Sequence, residues 1–251
     1  MEIRIERQLS GVAVSVADVI EGYVRSGAVT LGLATGSSPI PAYRELIRRH
    51  REEDLSFARA RAFLLDEYVG LPRSHPQSYY SVIRSDFVSH VDLADSAVQS
   101  PSGDAVDAAA EAARYDAAIH AAGGVDVQIL GIGSNGHIGF NEPGEPLDSR
   151  THVGVLAERT RQDNARFFGS LEEVPSQCIT QGLGTIREAH HLVLVATGAR
   201  KADALAAALH GEVTPDCPAS VLQLHANVTV IADEAAAAGL YGAEIRAGQT
   251  A

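Results

Sequence analysis

Residues 129–143 of the chain read ILGIGSNGHIGFNEP, and this stretch indicates the fold class. An apolar, β-branched run leads into a loop with three glycines, two asparagines, a histidine and a glutamate. Open α/β sheets hold their ligands in such loops at the carboxyl ends of strands, and glycines there let the backbone turn tightly. His137 can titrate near neutrality, and Glu142 can orient it or share its proton. The stretch therefore predicts a strand that ends in an acid–base site.

Outward from this strand, further strand-like runs alternate with helical patterns. Such alternation implies right-handed βαβ crossovers, which build a mostly parallel sheet with helices on both faces. The predicted strands are 28–34, 61–65, 125–132, 191–196 and 227–232. The predicted helices are one with apolar helical spacing over 12–23, and then 43–52, 79–91, 104–122, 200–209 and 234–240. No linker or internal repeat divides the chain, so we expect one α/β domain over residues 1–251.

Composition narrows the functional classes. The 251 residues are 45% hydrophobic and 21% charged, which is typical of a globular domain. A net charge of −12 argues against a general nucleic-acid or membrane-surface role, since both need a basic patch. Cys178 and Cys217 are too few for a disulfide framework or a zinc site. The first residues, MEIRIERQLS, lack the apolar core of a signal peptide, and no apolar run approaches membrane-spanning length. We therefore expect a cytoplasmic protein without membrane or nucleic-acid partners.

Polar residues also follow the other predicted strands. The turn after strand 28–34 consists of Thr35, Gly36, Ser37 and Ser38. Its backbone N–H groups and hydroxyls could bind a phosphate at a helix start, or it could be an ordinary turn with an N-cap serine. Asp66 could be a catalytic base, a cap or a salt-bridge partner. Lys201 could reach an anion at the sheet edge or be a solvated helix lysine.

Several known site patterns are missing from the sequence. The chain has no GxxxxGK[ST] phosphate loop, and the turn after strand 28–34 does not match the GxGxxG dinucleotide fingerprint. It also lacks HExxH, a cysteine cluster and a GxSxG nucleophile turn. We therefore expect no metal centre and no nucleotide cofactor. The chemistry that remains is acid–base catalysis on a small anionic molecule.

Taken together, the motifs resemble the glucosamine/galactosamine-6-phosphate isomerase family of amino-sugar catabolism. The matching blocks are LGLATGSSP (31–39), LLDEYVGLPRSHPQSYY (64–80), GIGSNGHIGFNEP (131–143), SRT (149–151), NARFF (164–168) and CPASVLQLH (217–225). They are spread over most of the chain in the family's order, and the combination is far more specific than any single block. The resemblance implies a Rossmann-like three-layer sandwich with a mobile lid, here about residues 152–182.

The resemblance also implies residue roles. Asp66 would be the base that moves a proton between C2 and C1 of the open-chain sugar. His137 would open the sugar ring, with Glu142 as its partner, and Asn135 stands where many members have an aspartate. The implied phosphate site consists of Thr35, Gly36, Ser37, Ser38, Arg166 and Lys201.

The implied reaction is the cofactor-free conversion of glucosamine 6-phosphate to fructose 6-phosphate and ammonia. Three alternatives stay open: a deaminase for galactosamine 6-phosphate, a hydrolase like 6-phosphogluconolactonase, and a sugar-phosphate sensor without turnover. Hexameric members of the family are activated by N-acetylglucosamine 6-phosphate, which basic residues just after the SRT block help to hold. This chain has His152 and Gly154 there, so we expect no such activation and a monomer or small homo-oligomer.

Overall fold

The computed structural model describes residues 1–247, apart from the side chains of 159, 163 and 241–247. Seven strands in this part of the chain form the main sheet. Their bounds are β1 Glu2–Glu6, β2 Val29–Leu33, β3 Ala60–Leu64, β5 Val98–Gln99, β6 Val127–Gly131, β9 Leu192–Ala196 and β10 Val228–Asp233. They are all parallel, in the order β1-β10-β9-β6-β2-β3-β5. The five predicted strands correspond to β2, β3, β6, β9 and β10 within two residues at each end.

Eight helices accompany the strands over residues 1–247. They are α1 Leu9–Ser26, α2 Ile40–Glu52, α3 Tyr79–Asp86, α4 Ala108–Ala121, α5 Glu158–Asn164, α6 Leu183–Arg187, α7 Ala202–His210 and α8 Glu234–Ala247. The helix predicted over 104–122 begins later because the Asp107 carboxylate caps it, accepting the N–H groups of Ala109 and Ala110. The helix predicted over 79–91 ends early, and a 3₁₀ turn, Val88–His90, follows it.

The strand order reverses direction between β2 and β6. From β2 the chain moves through α2 to its neighbour β3 and on to β5. From β6 it moves the other way, to β9 and then through α7 to β10. Right-handed crossovers in opposite directions place their helices on opposite faces, which gives three layers. The loops after β2 and β6 therefore diverge, and in open α/β sheets such a switch point is where ligands bind.

The core lies within this sandwich. Every residue of β2 and β9 is buried, as expected for parallel strands covered on both faces. Helix α1 adds Val12, Val16 and Ile20, which recur at helical spacing and are all buried. No helix in residues 1–247 combines the length and the apolar character that a bilayer crossing requires.

A second, antiparallel sheet was not predicted. It joins β4 (Asp66–Tyr68), β8 (Gln177–Thr180) and β7 (His152–Val155) in that order. A small apolar cluster supports it: Tyr68, Phe140, Leu156 and Cys178. Strands of three or four residues are too short to show a period of two, and β1 and β5 escaped prediction as well. Asp66 therefore begins a strand of the second sheet rather than ending β3.

Candidate active site

Four adjacent strands bring most of the predicted site residues to one edge of the main sheet. The neighbours β9, β6, β2 and β3 are parallel, so their carboxyl ends meet there. The residues that follow them are Lys201 after β9, Asn135, His137 and Glu142 after β6, Thr35, Gly36, Ser37 and Ser38 after β2, and Asp66 after β3. Of the residues predicted for the site, only Arg166 comes from outside these four connections, because it follows α5.

The loop after β6 folds back so that its polar side chains converge. The Asn135 amide donates to Oε2 of Glu142 at 2.7 Å, and the Asn135 carbonyl oxygen accepts the backbone N–H of His137 at 3.3 Å. Nδ1 of His137 lies 3.6 Å from the same Glu142 oxygen. The imidazole lies against Gly133, where an added Cβ would come within 2.4 Å of the ring. The structure therefore brings Asn135, His137 and Glu142 together, as predicted.

Glu142 is held as an anion. Its second oxygen, Oε1, accepts a 2.6 Å hydrogen bond from the hydroxyl of Thr160, which belongs to α5. Burial would raise the pKa of Glu142, but the nearby His137 imidazole and the hydrogen bonds from Thr160 and Asn135 outweigh it and lower that pKa to about 2. A permanent carboxylate beside an imidazole can orient the ring and stabilise its protonated form.

Asp66 is the second titratable group of the candidate site. Its side chain is only 6% exposed, and its Oδ2 lies 3.7 Å from the position of a Cβ added at Gly139 in the His137 loop. Burial, followed by the nearby Glu67 carboxylate, raises the pKa of Asp66 to about 8. A carboxyl group with this pKa can take up and return a proton near neutral pH, as a general base must.

Glu67 points away from Asp66 along the strand and binds the start of α3. Its carboxylate accepts the backbone N–H groups of Tyr68, Tyr79 and Tyr80 at 2.8–3.0 Å. Burial nevertheless raises the pKa of Glu67 above its usual range. This buried carboxylate was not recognised in the sequence analysis, although it lies in the same DEY block as Asp66.

A polar clamp holds the His137 loop against the second sheet. The Phe140 N–H donates to Oγ1 of Thr180 at 3.1 Å, and the Asn141 amide donates to the backbone carbonyls of Ile138 and Gln181 at 2.9 and 2.8 Å. These contacts fix the loop between β6 and β8. The sequence analysis missed Thr180 and Gln181 because they lie 40 residues beyond the loop that they hold.

The turn after β2 has a backbone shape that would let a phosphate come close to its N–H groups. Gly36 has a φ of +91°, which favours glycine. The Tyr43 hydroxyl pins the start of the turn, donating to the carbonyl of Ala34 at 2.8 Å and accepting its N–H at 3.1 Å. Pro39 occupies the N-cap position of α2, and no side chain caps that helix. The N-cap interpretation of the serines is therefore wrong, while the phosphate interpretation still fits.

Arg166 lies on the segment that follows α5. Its exposed guanidinium carbon is 4.7 Å from the centre of the Phe167 ring. On either side of it the segment contacts Tyr68: the Asn164 amide donates to the tyrosine hydroxyl at 2.9 Å, and the Phe168 ring packs edge-on. The structure thus places Arg166 on an exposed part of a segment that packs against Tyr68.

Tyr68 also connects this segment with the turn after β2. The Tyr79 hydroxyl donates to that of Tyr68 at 3.2 Å, and the Thr35 side chain is in hydrogen-bonding reach of Tyr79. A line of four side chains therefore runs from Thr35 to Asn164. Sequence reasoning missed both tyrosines as site residues because aromatic residues at this spacing also fit an ordinary core.

Fold and site together define a doubly wound α/β enzyme whose candidate site gathers titratable side chains at the switch point of the sheet. A family model described as glucosamine-6-phosphate isomerases/6-phosphogluconolactonase matches residues 6–231, and the chain belongs to this family.

Two similar relatives are both described as glucosamine-6-phosphate deaminases. The chain is 64% identical over 240 residues to the glucosamine-6-phosphate deaminase of Rhodococcus jostii, covering 96% of this chain and 93% of the relative. It is 58% identical over 238 residues to that of Corynebacterium aurimucosum, covering 95% and 93%.

Solved structures agree on the fold. The chain is similar to a structure described as a monomeric glucosamine-6-phosphate deaminase, with a TM-score of 0.93, 41% identity and coverage of 95% of this chain and 100% of the other. It also resembles the 6-phosphogluconolactonase of Trypanosoma brucei, with a TM-score of 0.74 and 21% identity over 95% and 98% of the two chains. At that identity the second likeness concerns the fold alone.

Proposed function

We propose that this protein is a glucosamine-6-phosphate deaminase, which converts glucosamine 6-phosphate and water to fructose 6-phosphate and ammonia. The observation that carries the proposal is the pairing of two proton-transfer groups at one sheet edge. Asp66 is buried, which raises its pKa to about 8, and the His137–Glu142 pair lies in the loop that Asp66 approaches. The names of the relatives, at up to 64% identity, support this assignment.

Ring opening is the first step. The imidazole of His137 moves a proton between the C1 hydroxyl and the ring oxygen, so that the C1–O5 bond breaks and an aldehyde forms. Glu142 keeps the ring oriented and stabilises the imidazolium as it appears. A positioned acid–base group of this kind contributes roughly 10²- to 10⁴-fold to the rate.

Isomerisation follows in the open chain. Asp66 removes the C2 proton, which the adjacent C1 carbonyl makes acidic, and a cis-enolamine forms. The protonated carboxyl then returns the proton to C1, giving fructosimine 6-phosphate. Water adds to the C2 imine, and ammonia leaves to give the ketone. The pKa of about 8 suits Asp66 to both halves of this transfer.

The phosphate would anchor the far end of the sugar. The backbone and hydroxyls of the turn from Thr35 to Ser38 would bind it, together with Lys201 and Arg166. An arginine fork matches phosphate oxygens in pairs. These contacts supply positioning energy, which makes the proton transfers effectively intramolecular.

The alternatives differ in what they require. A lactonase hydrolyses an ester bond and leaves the C2 proton in place, so it would not need Asp66 as a base. A sensor without turnover would not need the Asp66, His137 and Glu142 set. The epimer galactosamine 6-phosphate would use the same residues, so it stays the nearest alternative substrate.

A coupled assay tests the proposal. Purified protein with EDTA and without nucleotide should release ammonia and fructose 6-phosphate from glucosamine 6-phosphate. Galactosamine 6-phosphate and 6-phosphogluconolactone are assayed in parallel. Faster turnover of either one would favour the corresponding alternative, and activity lost on chelation but restored by a metal would contradict the acid–base mechanism.

Assembly and location belong to the same proposal. We expect a monomer or small homo-oligomer in the cytoplasm, acting on a small amino-sugar phosphate. A structural neighbour described as monomeric supports the first expectation. The net charge of −12 supports a small-molecule role without nucleic acid.

A further inference from the structure

One element outside the main sheet contacts both ends of the candidate site. Helix α5 lies in the segment implied to be a lid, and two of its side chains, four residues apart, donate hydrogen bonds to the site. Asn164 donates to the Tyr68 hydroxyl at 2.9 Å, and Thr160 donates to Oε1 of Glu142 at 2.6 Å. Residues at this spacing lie on the same side of a helix, so this side of α5 faces the site.

The Thr160 bond determines which way the Glu142 carboxylate points. With Oε1 bound to Thr160, the oxygen left for His137 is Oε2, which lies 3.6 Å from Nδ1 and also accepts the Asn135 amide. Thr160 is only 9% exposed, so water competes poorly for this bond. Without the hydroxyl, Oε1 would lose this donor and the carboxylate could rotate away from the imidazole.

We propose that Thr160 is a positioning residue for ring opening, which orients Glu142 toward His137 when α5 is seated on the site. The docking of α5 and the orientation of Glu142 toward His137 then occur together. Because α5 also reaches the turn after β2 through Asn164, Tyr68 and Tyr79, phosphate binding and ring opening are coupled. This inference rests on the proposed deaminase function.

The test separates orientation of Glu142 from docking of the helix. Thr160→Val keeps the shape of the side chain and removes the donor, Thr160→Ser keeps the donor, and Asn164→Leu removes the other bond of α5. Each variant is assayed with glucosamine 6-phosphate. Each is also titrated with the acyclic alditol phosphate made by reducing this sugar at C1, which binds without ring opening.

We expect Thr160→Val to lower kcat by roughly 10- to 100-fold, the range for a lost hydrogen bond to a charged group. Its KM and its affinity for the alditol phosphate should stay within about threefold, and Thr160→Ser should recover most of kcat. Asn164→Leu should instead raise KM and weaken alditol binding, because it loosens the docking of α5; at saturating substrate the helix is seated, so Thr160 still orients Glu142 and kcat is largely kept.

Two results would overturn this inference but leave the proposed function standing. One is an active wild type with an unchanged kcat in Thr160→Val. The other is an equal loss of affinity for the alditol phosphate in Thr160→Val and Asn164→Leu. The second result would mean that Thr160 only docks the helix. A wild type that releases no ammonia from either amino-sugar phosphate would overturn the proposed function, and the inference with it.

Discussion

At the scale of single residues, the proposed reactivity of the site depends on two neighbouring carboxylates. Asp66 faces the His137 loop and Glu67 faces the start of α3, because consecutive residues of a strand point to opposite sides. Glu67 is held by three backbone N–H groups, and its charge adds to the effect of burial on Asp66. The sequence shows the pair, but its burial comes from the second sheet.

The pH dependence of the reaction should reflect this pair. Asp66 must be ionised to remove the C2 proton, so kcat/KM should rise with pH through a midpoint near the raised pKa of about 8. In Glu67→Gln the neighbouring charge is gone, so the pKa of Asp66 falls and the midpoint moves to lower pH. Rate profiles from pH 5 to 9 measure it, with the exposed Glu52→Gln as control. A midpoint that stays in place would contradict the coupling.

The role of Asp66 itself can be isolated. Asp66→Asn keeps the shape of the side chain but cannot accept a proton, so exchange of the C2 hydrogen with deuterated water should stop. Affinity for the acyclic alditol phosphate should stay within a few-fold, because the amide replaces a group that is not a phosphate ligand. NMR of the recovered sugar measures the exchange, and deuterium at C2 would show that another group is the base.

At the scale of elements, the His137 loop depends on glycine for its shape. An alanine Cβ at Gly133 would come within 2.4 Å of the imidazole, whereas Gly131, two residues earlier, has open space. Gly133→Ala should displace His137 and lower kcat/KM by at least about 10²-fold, the smaller contribution of a positioned acid–base group. Gly131→Ala is the matched control, and equal activities in the two variants would contradict this account of the loop.

The segment 152–182 is more firmly held than the lid implied by the sequence. Its ends are β7 and β8, which are paired in the second sheet. Movement is therefore expected in the stretch between them, which contains α5 and Arg166. In the proposed function, this stretch would carry the Arg166 guanidinium to the substrate phosphate.

Phosphate binding should respond to both basic residues. Arg166→Ala and Lys201→Ala should each weaken binding of the alditol phosphate by roughly 1.5–3 kcal/mol, the value of a charge-assisted hydrogen bond. Calorimetry measures the loss, and Arg200→Ala, next to Lys201 on the same exposed turn, serves as control. If Arg200→Ala weakened binding as much as Lys201→Ala, the effect would be one of net charge.

At the scale of the whole molecule, the question is whether this protein is regulated. His152 lies in β7, with Nδ1 2.8 Å from the Arg150 carbonyl and Nε2 3.7 Å from the Glu145 carboxylate. A side chain at Gly154 would start 3.2 Å from Sγ of Cys178, in the small apolar cluster. Neither position therefore presents a free positive charge at the surface.

We therefore expect hyperbolic kinetics and no response to N-acetylglucosamine 6-phosphate. Glycine offers no charge to an activator phosphate, and the His152 imidazole is already engaged with the Arg150 carbonyl and faces the Glu145 carboxylate. Initial rates against substrate, with and without the acetylated sugar, measure this, and light scattering gives the size of the particle. A sigmoidal curve that becomes hyperbolic on adding the acetylated sugar would contradict the prediction.

The sequence by itself determined five of the seven strands of the main sheet and the candidate residues at its edge. Five strands could be read from apolar runs, because buried parallel strands are apolar along their whole length. The site residues that follow them are local in sequence, so Asp66, Asn135, His137 and Glu142 could be named with the help of the family resemblance. Their order along the sheet, which makes β2 and β6 the switch point, was not readable, because it depends on long-range pairing.

Tertiary structure alone decided what surrounds those residues. The second sheet, with strands of three or four residues, has no local signature, yet it buries Asp66 and so raises its pKa. Thr180 holds the His137 loop and Thr160 holds Glu142 from elements 40 and 18 residues away along the chain. Such contacts carry no periodic signal, because each joins one side chain to one distant partner. The sequence therefore indicates the reacting groups, and the fold sets their orientation and their proton affinity.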